Sequence, residues 1–477
     1  MVFTSINFLL FFPIVALLYY LTPVKYRWLS LLLVSYFFYI NIRPVYALLL
    51  AGVSASTYLF TCLMDSTEAD AVKKRYMIVN IILILLPLFF FKYFGEINAG
   101  ITGTLQKSHI HWPLPEIKLL LPVGISFYTF MAIGYTVDVY NEDVKAEKHF
   151  GILALFISFF PLVLSGPIER ANNMLPQFNR HQTVNYDGII KGMKLMLWGY
   201  FMKLVVADRI GLYVDVVFNN IPTQSGNTLL LSSVLYPFQI YADLGGYSLI
   251  AIGTARILGI EVMQNFKRPF FAVSMAEFWR RWHISLITWI TDYIYMPLSF
   301  AFRKRGMTGV VLSLLIAFLI SGIWHGAALT FVVWGLLQGI FLSVEAVMSK
   351  GRKLFEEQHK LNGRWWYILF CCLVTFALFA LSQVFARASS IEKALIVLKK
   401  IASIRGSLYL DMTNLLYVFV GLGILLLSDF RDEFFPGRIV FFDNRNIFIR
   451  YAAYLSTIFF ILYFGVFSGN KFIYFQF

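Results

Sequence analysis

Charge is what this chain has least of. Asp, Glu, Lys and Arg together make up 14% of its 477 residues, against about 25% in an ordinary soluble domain. A chain so poor in charge cannot be wrapped in water. Sustained alternation of apolar and polar residues over roughly ten-residue segments is also missing, which excludes a transmembrane barrel. Cysteine is nearly absent: Cys62, Cys371 and Cys372 all lie in apolar runs, so neither a disulfide framework nor a zinc cluster is expected. No Walker loop, GxSxG elbow, HExxH pair or dinucleotide-binding glycine fingerprint appears, so phosphoryl transfer and serine hydrolysis lose ground. Nor is there an internal repeat of the kind that many transporters carry.

What is present in excess is apolar residue, 59% of the chain. Runs of about 17–25 such residues recur from end to end, the pattern of a polytopic helical membrane protein. Spans are expected near 6–22, 27–41, 44–63, 77–94, 119–138, 150–168, 192–212, 228–252, 284–300, 308–324, 329–347, 366–386, 413–428 and 450–467. The opening "MVFTSINFLLFFPIVALLYYL" lacks a basic n-region and a small-residue cleavage site and is read as a retained first span. Pro122-Val123-Gly124, Ser165-Gly166-Pro167 and Gly245-Gly246 interrupt apolar segments. Irregular backbone at membrane depth is tolerated only where protein buries it or water lines it. The middle of the chain is therefore expected to form a cavity-bearing core. Three stretches are expected: N-terminal transmembrane helices at 1–117, a catalytic core at 118–348, and C-terminal helices with an outward-facing tail at 349–477.

The formal net charge is +14. Here the basic residues sit in short loops, as the positive-inside rule requires, and no nucleic-acid partner is expected. Lys25 and Arg27, Lys73-Lys74-Arg75, Arg303-Lys304-Arg305 and "SKGRKLFEEQHKLNGR" (349–364) are assigned to the cytosol, which puts the N terminus and the tail after Phe467 outside. The basic stretch 387–412 then falls outside, against the rule; its core "IEKALIVLKKIA" reads as an amphipathic interfacial helix. Attraction of an anionic cytosolic ligand by the basic loops stays open beside topology.

Of seven histidines, His109, His111, His149, His181 and His359 fall in polar loops, and only His283 and His325 sit among apolar residues. From Gly306 to Val344 there is no Asp, Glu, Lys or Arg, and His325 lies in the middle. An ionisable residue at membrane depth is a functional candidate by default, yet two spans of about 30 Å would also put this ring at their junction, on a membrane face. Gly322 and Gly326 let a neighbouring backbone approach, which favours burial. His283 closes "EFWRRWH", where Glu277 can reach Arg280 and Arg281 at helical spacing; an interfacial aromatic-basic anchor is the plainer reading of this stretch. Two desolvated imidazoles without a third ligand suit proton transfer better than metal binding.

"EFWRRWHISLITWITDYIYMPL", followed by "SGIWHGAALTFVVWGLLQG", resembles the membrane-bound O-acyltransferase superfamily, and most closely its bacterial branch of alginate O-acetyltransferases and teichoic-acid D-alanyl transfer proteins. "LPVGISFYTFMAIGYTVDVY", "FFPLVLSGPIER" and "PFQIYADLGGYSLIAIG" extend the likeness from Leu121 to Gly339. The resemblance implies an all-α ring of tilted helices around a thinned core pierced by a tunnel. It makes His325 the catalytic residue and His283 its support, with Trp279, Trp282, Trp324, Tyr241, Asp243 and Ser321 along the tunnel. It further implies a donor thioester, acetyl-CoA or an acyl carrier protein, as substrate with no bound cofactor. Partners would be the lipid bilayer, an SGNH-type extracytoplasmic acyltransferase or esterase, and polysaccharide-secretion components. Leu249 stands where alginate-type members often carry Asp, as in the D-alanyl branch, whereas the length and the two histidine motifs favour the acetyl branch. The expected function is O-acylation of an exported polysaccharide from a bacterial cytoplasmic membrane. D-alanyl transfer to teichoic acid and, from another class, transport of an acylated carrier or glycan are the alternatives.

The tail "NKFIYFQF" reads in two ways. It suits an interfacial aromatic anchor. Phe472, Tyr474 and Phe477 also match the Phe-x-Tyr-x-x-Phe end of a small partner in the D-alanylation system, which by resemblance would make Tyr474 a passing acyl acceptor.

Overall fold

The computed structural model describes residues 2–41, 43–107, 121–403, 405–409, 411–438 and 441–467. Tyr474 and the rest of the tail, like His109 and His111, lie outside the described residues. All regular structure among those described is helical. Among the described residues seven helices are long and apolar enough to cross a membrane: α3 (Pro44–Asp65), α4 (Asp70–Lys107), α15 (Met307–His325), α16 (Leu329–Gln358), α17 (Trp365–Arg387), α19 (Met412–Phe434) and α20 (Ile447–Phe464). The other apolar runs form helices that are shorter, broken or more polar. An apolar run records burial, and a core helix buried by protein produces the same run as one buried by lipid.

The chain folds as two compact units. These divide it differently from the three functional stretches expected above, which are defined by motif rather than by contact. The first comprises residues 1–196 and 248–263. It holds α1 (Ile6–Leu21), α2 (Arg27–Ile40), α3, α4, α5 (Ile125–Tyr140), α6 (Phe150–Ser158), α7 (Phe160–Val163) and α8 (Ala171–Asn179). The expected span at 150–168 breaks at Phe159, whose backbone turns extended before Pro161. The Phe160 amide freed by that break donates to Ser35 Oγ at 3.1 Å, so no buried donor is orphaned. α5 is almost wholly buried and is tied to α4 by the Asn80 amide donating to Thr136 Oγ1 at 2.8 Å.

The second unit comprises 197–247 and 264–477; α9 (Tyr186–Tyr200) and α11 (Gly226–Ile257) have residues in both. At 201–207 the chain makes a π-helical turn before α10 (Asp208–Asn219). That turn presents Lys203 to Asp208 and Asp243, each at 2.7 Å, with all three side chains no more than 5% exposed. Lys203 also lies 5.6 Å from the Tyr247 ring centre. Gly246 makes room for this arrangement: a Cβ there would stand 2.7 Å from the Gly199 carbonyl oxygen. The remaining short helices are α12 (Met275–Arg281), α13 (Ile284–Ile290), α14 (Met296–Ala301) and α18 (Ile391–Ser403). α18 turns Ala394 and Val397 inward and leaves Lys393 and Lys399 exposed, as the amphipathic pattern predicts.

α15 and α16 form a tight antiparallel pair joined by Gly326-Ala327-Ala328. Their closest approach is at Gly322 and Gly335, where a Cβ on the first would meet the Phe331 carbonyl oxygen at 2.4 Å and one on the second the Phe318 carbonyl oxygen at 2.4 Å. Backbone oxygens cannot step aside as a flexible side chain can. Gly322→Val is therefore expected to force the pair apart at a cost of about 1–3 kcal/mol or more and so to lower the melting temperature in detergent; an unchanged melting curve would contradict this packing.

Candidate active site

The site is built from the junctions around α12, α13 and α15. Ser274 caps α12, its hydroxyl accepting from the Glu277 amide at 3.2 Å while the Glu277 carboxylate accepts from the Val273 amide at 2.9 Å. This is a variant of the capping box in which the carboxylate takes the amide one residue before the cap, and it fixes where the helix begins. Glu345 of α16 takes two further free amides of the first turn, Met275 at 2.7 Å and Ala276 at 3.3 Å. At the other end Arg281 pairs with Glu277 at 2.5 Å and with Glu433 at 3.0 Å, and Glu433 also holds Arg268 at 2.8 Å. Glu277 thus meets Arg281 of its two expected partners, while Arg280 is exposed.

After Arg281 the chain leaves the helix. Trp282 is extended and His283 takes a left-handed conformation, φ 45° and ψ 50°, which is uncommon for a residue with a Cβ and clusters at functional sites. Asn265 holds the turn from the side. Its carbonyl oxygen accepts from the Ile284 amide at 2.8 Å, and its side-chain oxygen accepts from the Ser285 amide at 3.2 Å and hydroxyl at 2.9 Å. The imidazole of His283 is 2% exposed, and burial pushes its pKa down to about 3, so it is neutral at pH 7. Because Asn tolerates the left-handed region better than Ala, His283→Asn is expected to keep the melting temperature nearer wild type than His283→Ala; the reverse order would argue against a strained turn.

His325 is the last residue of α15. Its ring stands edge-on to Trp324 at 4.6 Å and to Trp334 of α16 at 4.8 Å. Both imidazoles line one narrow pocket with a cavity volume of about 50 Å³, in company with Trp279, Trp282, Trp334, Phe379, Tyr236 and Gln383. Apolar walls come from α11, α13, α16 and α17. A water-poor space with two imidazoles on its lining is suited to moving a proton to or from a hydroxyl.

The structure brings together His283, His325, Trp279 and Trp282 of the residues expected along the tunnel. Trp324 touches the His325 ring without lining the pocket. Tyr241 stands behind the wall: its ring lies 6.3 Å from that of Trp282, and its hydroxyl donates to buried Asp429 at 2.9 Å. Asp243 is placed on Lys203, and Ser321 is buried on α15 away from the lining. Sequence reasoning missed Tyr236, Trp334 and Gln383. A lone amide in an otherwise oily span was the available signal for Gln383.

A family model described as MBOAT, membrane-bound O-acyltransferase family, matches residues 149–384. A probable alginate O-acetylase of Pseudomonas aeruginosa is 35% identical over 397 residues, covering 83% of this chain and 73% of the relative. A peptidoglycan O-acetyltransferase of Helicobacter pylori is 33% identical over 404 residues, 79% of this chain and 74% of the relative. A teichoic acid D-alanyltransferase of Bacillus subtilis is 26% identical over 302 residues, 61% of this chain and 72% of the relative. The matched region contains both histidine motifs and every lining residue of their pocket except Ala386. The chain is an O-acyltransferase rather than a transporter, a multi-pass membrane protein that belongs to the membrane-bound O-acyltransferase family.

Proposed function

We propose that this enzyme carries a short acyl group, acetyl, from a thioester on the cytosolic side of the bacterial inner membrane toward a polysaccharide outside. The observation that carries this reading is the convergence of His283 and His325 on one pocket. His325 acts as general base: it takes the proton of an acceptor hydroxyl as the oxygen attacks the thioester carbonyl. The carbon–sulfur bond then breaks and the thiolate leaves, to be protonated. His283, neutral and held by the strained turn, orients the donor. Acetyl is favoured over D-alanyl because the acetyl-named relatives are the more similar, 33–36% identical against 26–28%. Acetyl-CoA is the donor this reading names, with a carrier-protein thioester as the alternative.

The purified chain in detergent tests this, since no compartments exist there. Given radiolabelled acetyl-CoA and a soluble hydroxyl acceptor, it is expected to release free thiol and form ester; a silent wild-type protein contradicts the reading.

The same reading places both termini outside, an SGNH-type transferase and secretion components as partners there, and Tyr474 as an acyl relay entering from that side. Intact-mass measurement after incubation with donor is expected to show an ester adduct that disappears in Tyr474→Phe. An adduct that survives the substitution removes Tyr474 from the route.

A further inference from the structure

The lining of the pocket is unusual in what its polar groups lack. No Asp, Glu, Lys or Arg lines it among the described residues, so the part of a ligand that enters is uncharged. An acyl group bearing an ammonium would be buried here with no carboxylate to meet it, and a phosphate with no cation, both costly. Four hydrogen-bond donors nevertheless face this space or stand in its wall without a protein acceptor. The indole N–H groups of Trp279 and Trp334 are buried with none. The Gln383 amide, on a residue 4% exposed, and the Tyr236 hydroxyl, on one 2% exposed, make no hydrogen bond to any described residue. An indole can only donate, and a phenol or amide can do so readily. Unmet donors around an uncharged space call for a neutral acceptor, and a carbonyl oxygen is one.

We propose that Gln383 of α17 and Tyr236 of α11 are the donors that take the carbonyl oxygen of a neutral acyl thioester in this pocket. The indoles are less available for that task, being held in ring contacts, Trp279 with Phe318 at 5.1 Å and with Trp334 at 6.1 Å. The Tyr236 ring is braced from behind by Arg387 at 6.0 Å, itself paired with Asp215 at 2.7 Å. When the acceptor oxygen adds to the carbonyl carbon, the carbonyl π pair moves onto that oxygen, and donors already in place stabilise the charge that develops there. The inference rests on acyl transfer at His325, and its test separates the two.

The experiment uses the full chain in detergent with acetyl-CoA as the probe. Gln383→Met and Tyr236→Phe remove one donor each at nearly constant volume. Each is expected to lower kcat by about 10²–10³ with KM for acetyl-CoA little changed, while gel filtration and melting match wild type. A merely structural role would instead move the melting temperature and leave kcat of the folded fraction intact. Active wild type with both variants equally active overturns the proposal and leaves the acyl-transfer reading standing. Silence of the wild type overturns that reading and this proposal with it. If Gln383→Met does not fold, Tyr236→Phe decides.

Discussion

Replacing His325 by alanine is expected to lower acyl transfer by about 10²–10⁴, the contribution of a positioned general base, without loss of expression or of a monodisperse gel-filtration profile. The ring is half-buried at the end of α15 and packs edge-on against two indoles. Removing it leaves a small void between Trp324 and Trp334 rather than an unpaired charge, so the cost in stability is modest. Activity and stability should therefore separate. His283→Ala should behave differently, because it removes a wholly buried ring from a left-handed turn and touches stability as well as rate. Wild-type transfer by folded His325→Ala would remove the base from the mechanism.

The largest effect on stability is expected at Lys203. Its ammonium joins two carboxylates inside the second unit, all three side chains almost fully buried. Lys203→Met keeps much of the volume and leaves Asp208 and Asp243 buried without their counter-charge. Breaking a buried ion pair from one side costs about 3–5 kcal/mol, enough to abolish folding in a marginal protein. Neutralising the whole group, Lys203→Met with Asp208→Asn and Asp243→Asn, is expected to recover most of the loss. Thermal unfolding in detergent reads both. A Lys203→Met protein that melts like wild type would show that the charges are not interdependent.

Much of this was legible in the order of residues, for reasons that differ by element. Scarce charge and long apolar runs specify helices, because in lipid the backbone must satisfy itself within each segment. His283 and His325 stood out because few other titratable groups lie in those runs. Which runs cross the membrane was less accessible: of fourteen expected spans, seven lie in helices long and apolar enough to cross among the described residues. The run at 284–300 is cut into α13, a π-helical turn and α14, and no periodicity marks such a break. The supports of the site were hidden for another reason. Asn265 and Glu433 reach the α12–α13 junction, and Glu345 the first turn of α12, from distant positions in the chain, and tertiary pairing of that kind leaves no local pattern. Tyr236 looks in sequence like an ordinary member of an apolar helix; only its place in the pocket sets it apart.

The central claim is that acyl transfer happens where the two imidazoles meet. A density map of the purified protein bound to a non-hydrolysable thioester analogue of acetyl-CoA tests it most directly. The predicted result puts the acyl end in the pocket between α11, α12, α15 and α17, with the rings of His325 and His283 beside it. An analogue seated elsewhere, such as the apolar groove between α16 and α17 bounded by Phe341, Met348 and Phe370, with the histidine pocket empty, would contradict it.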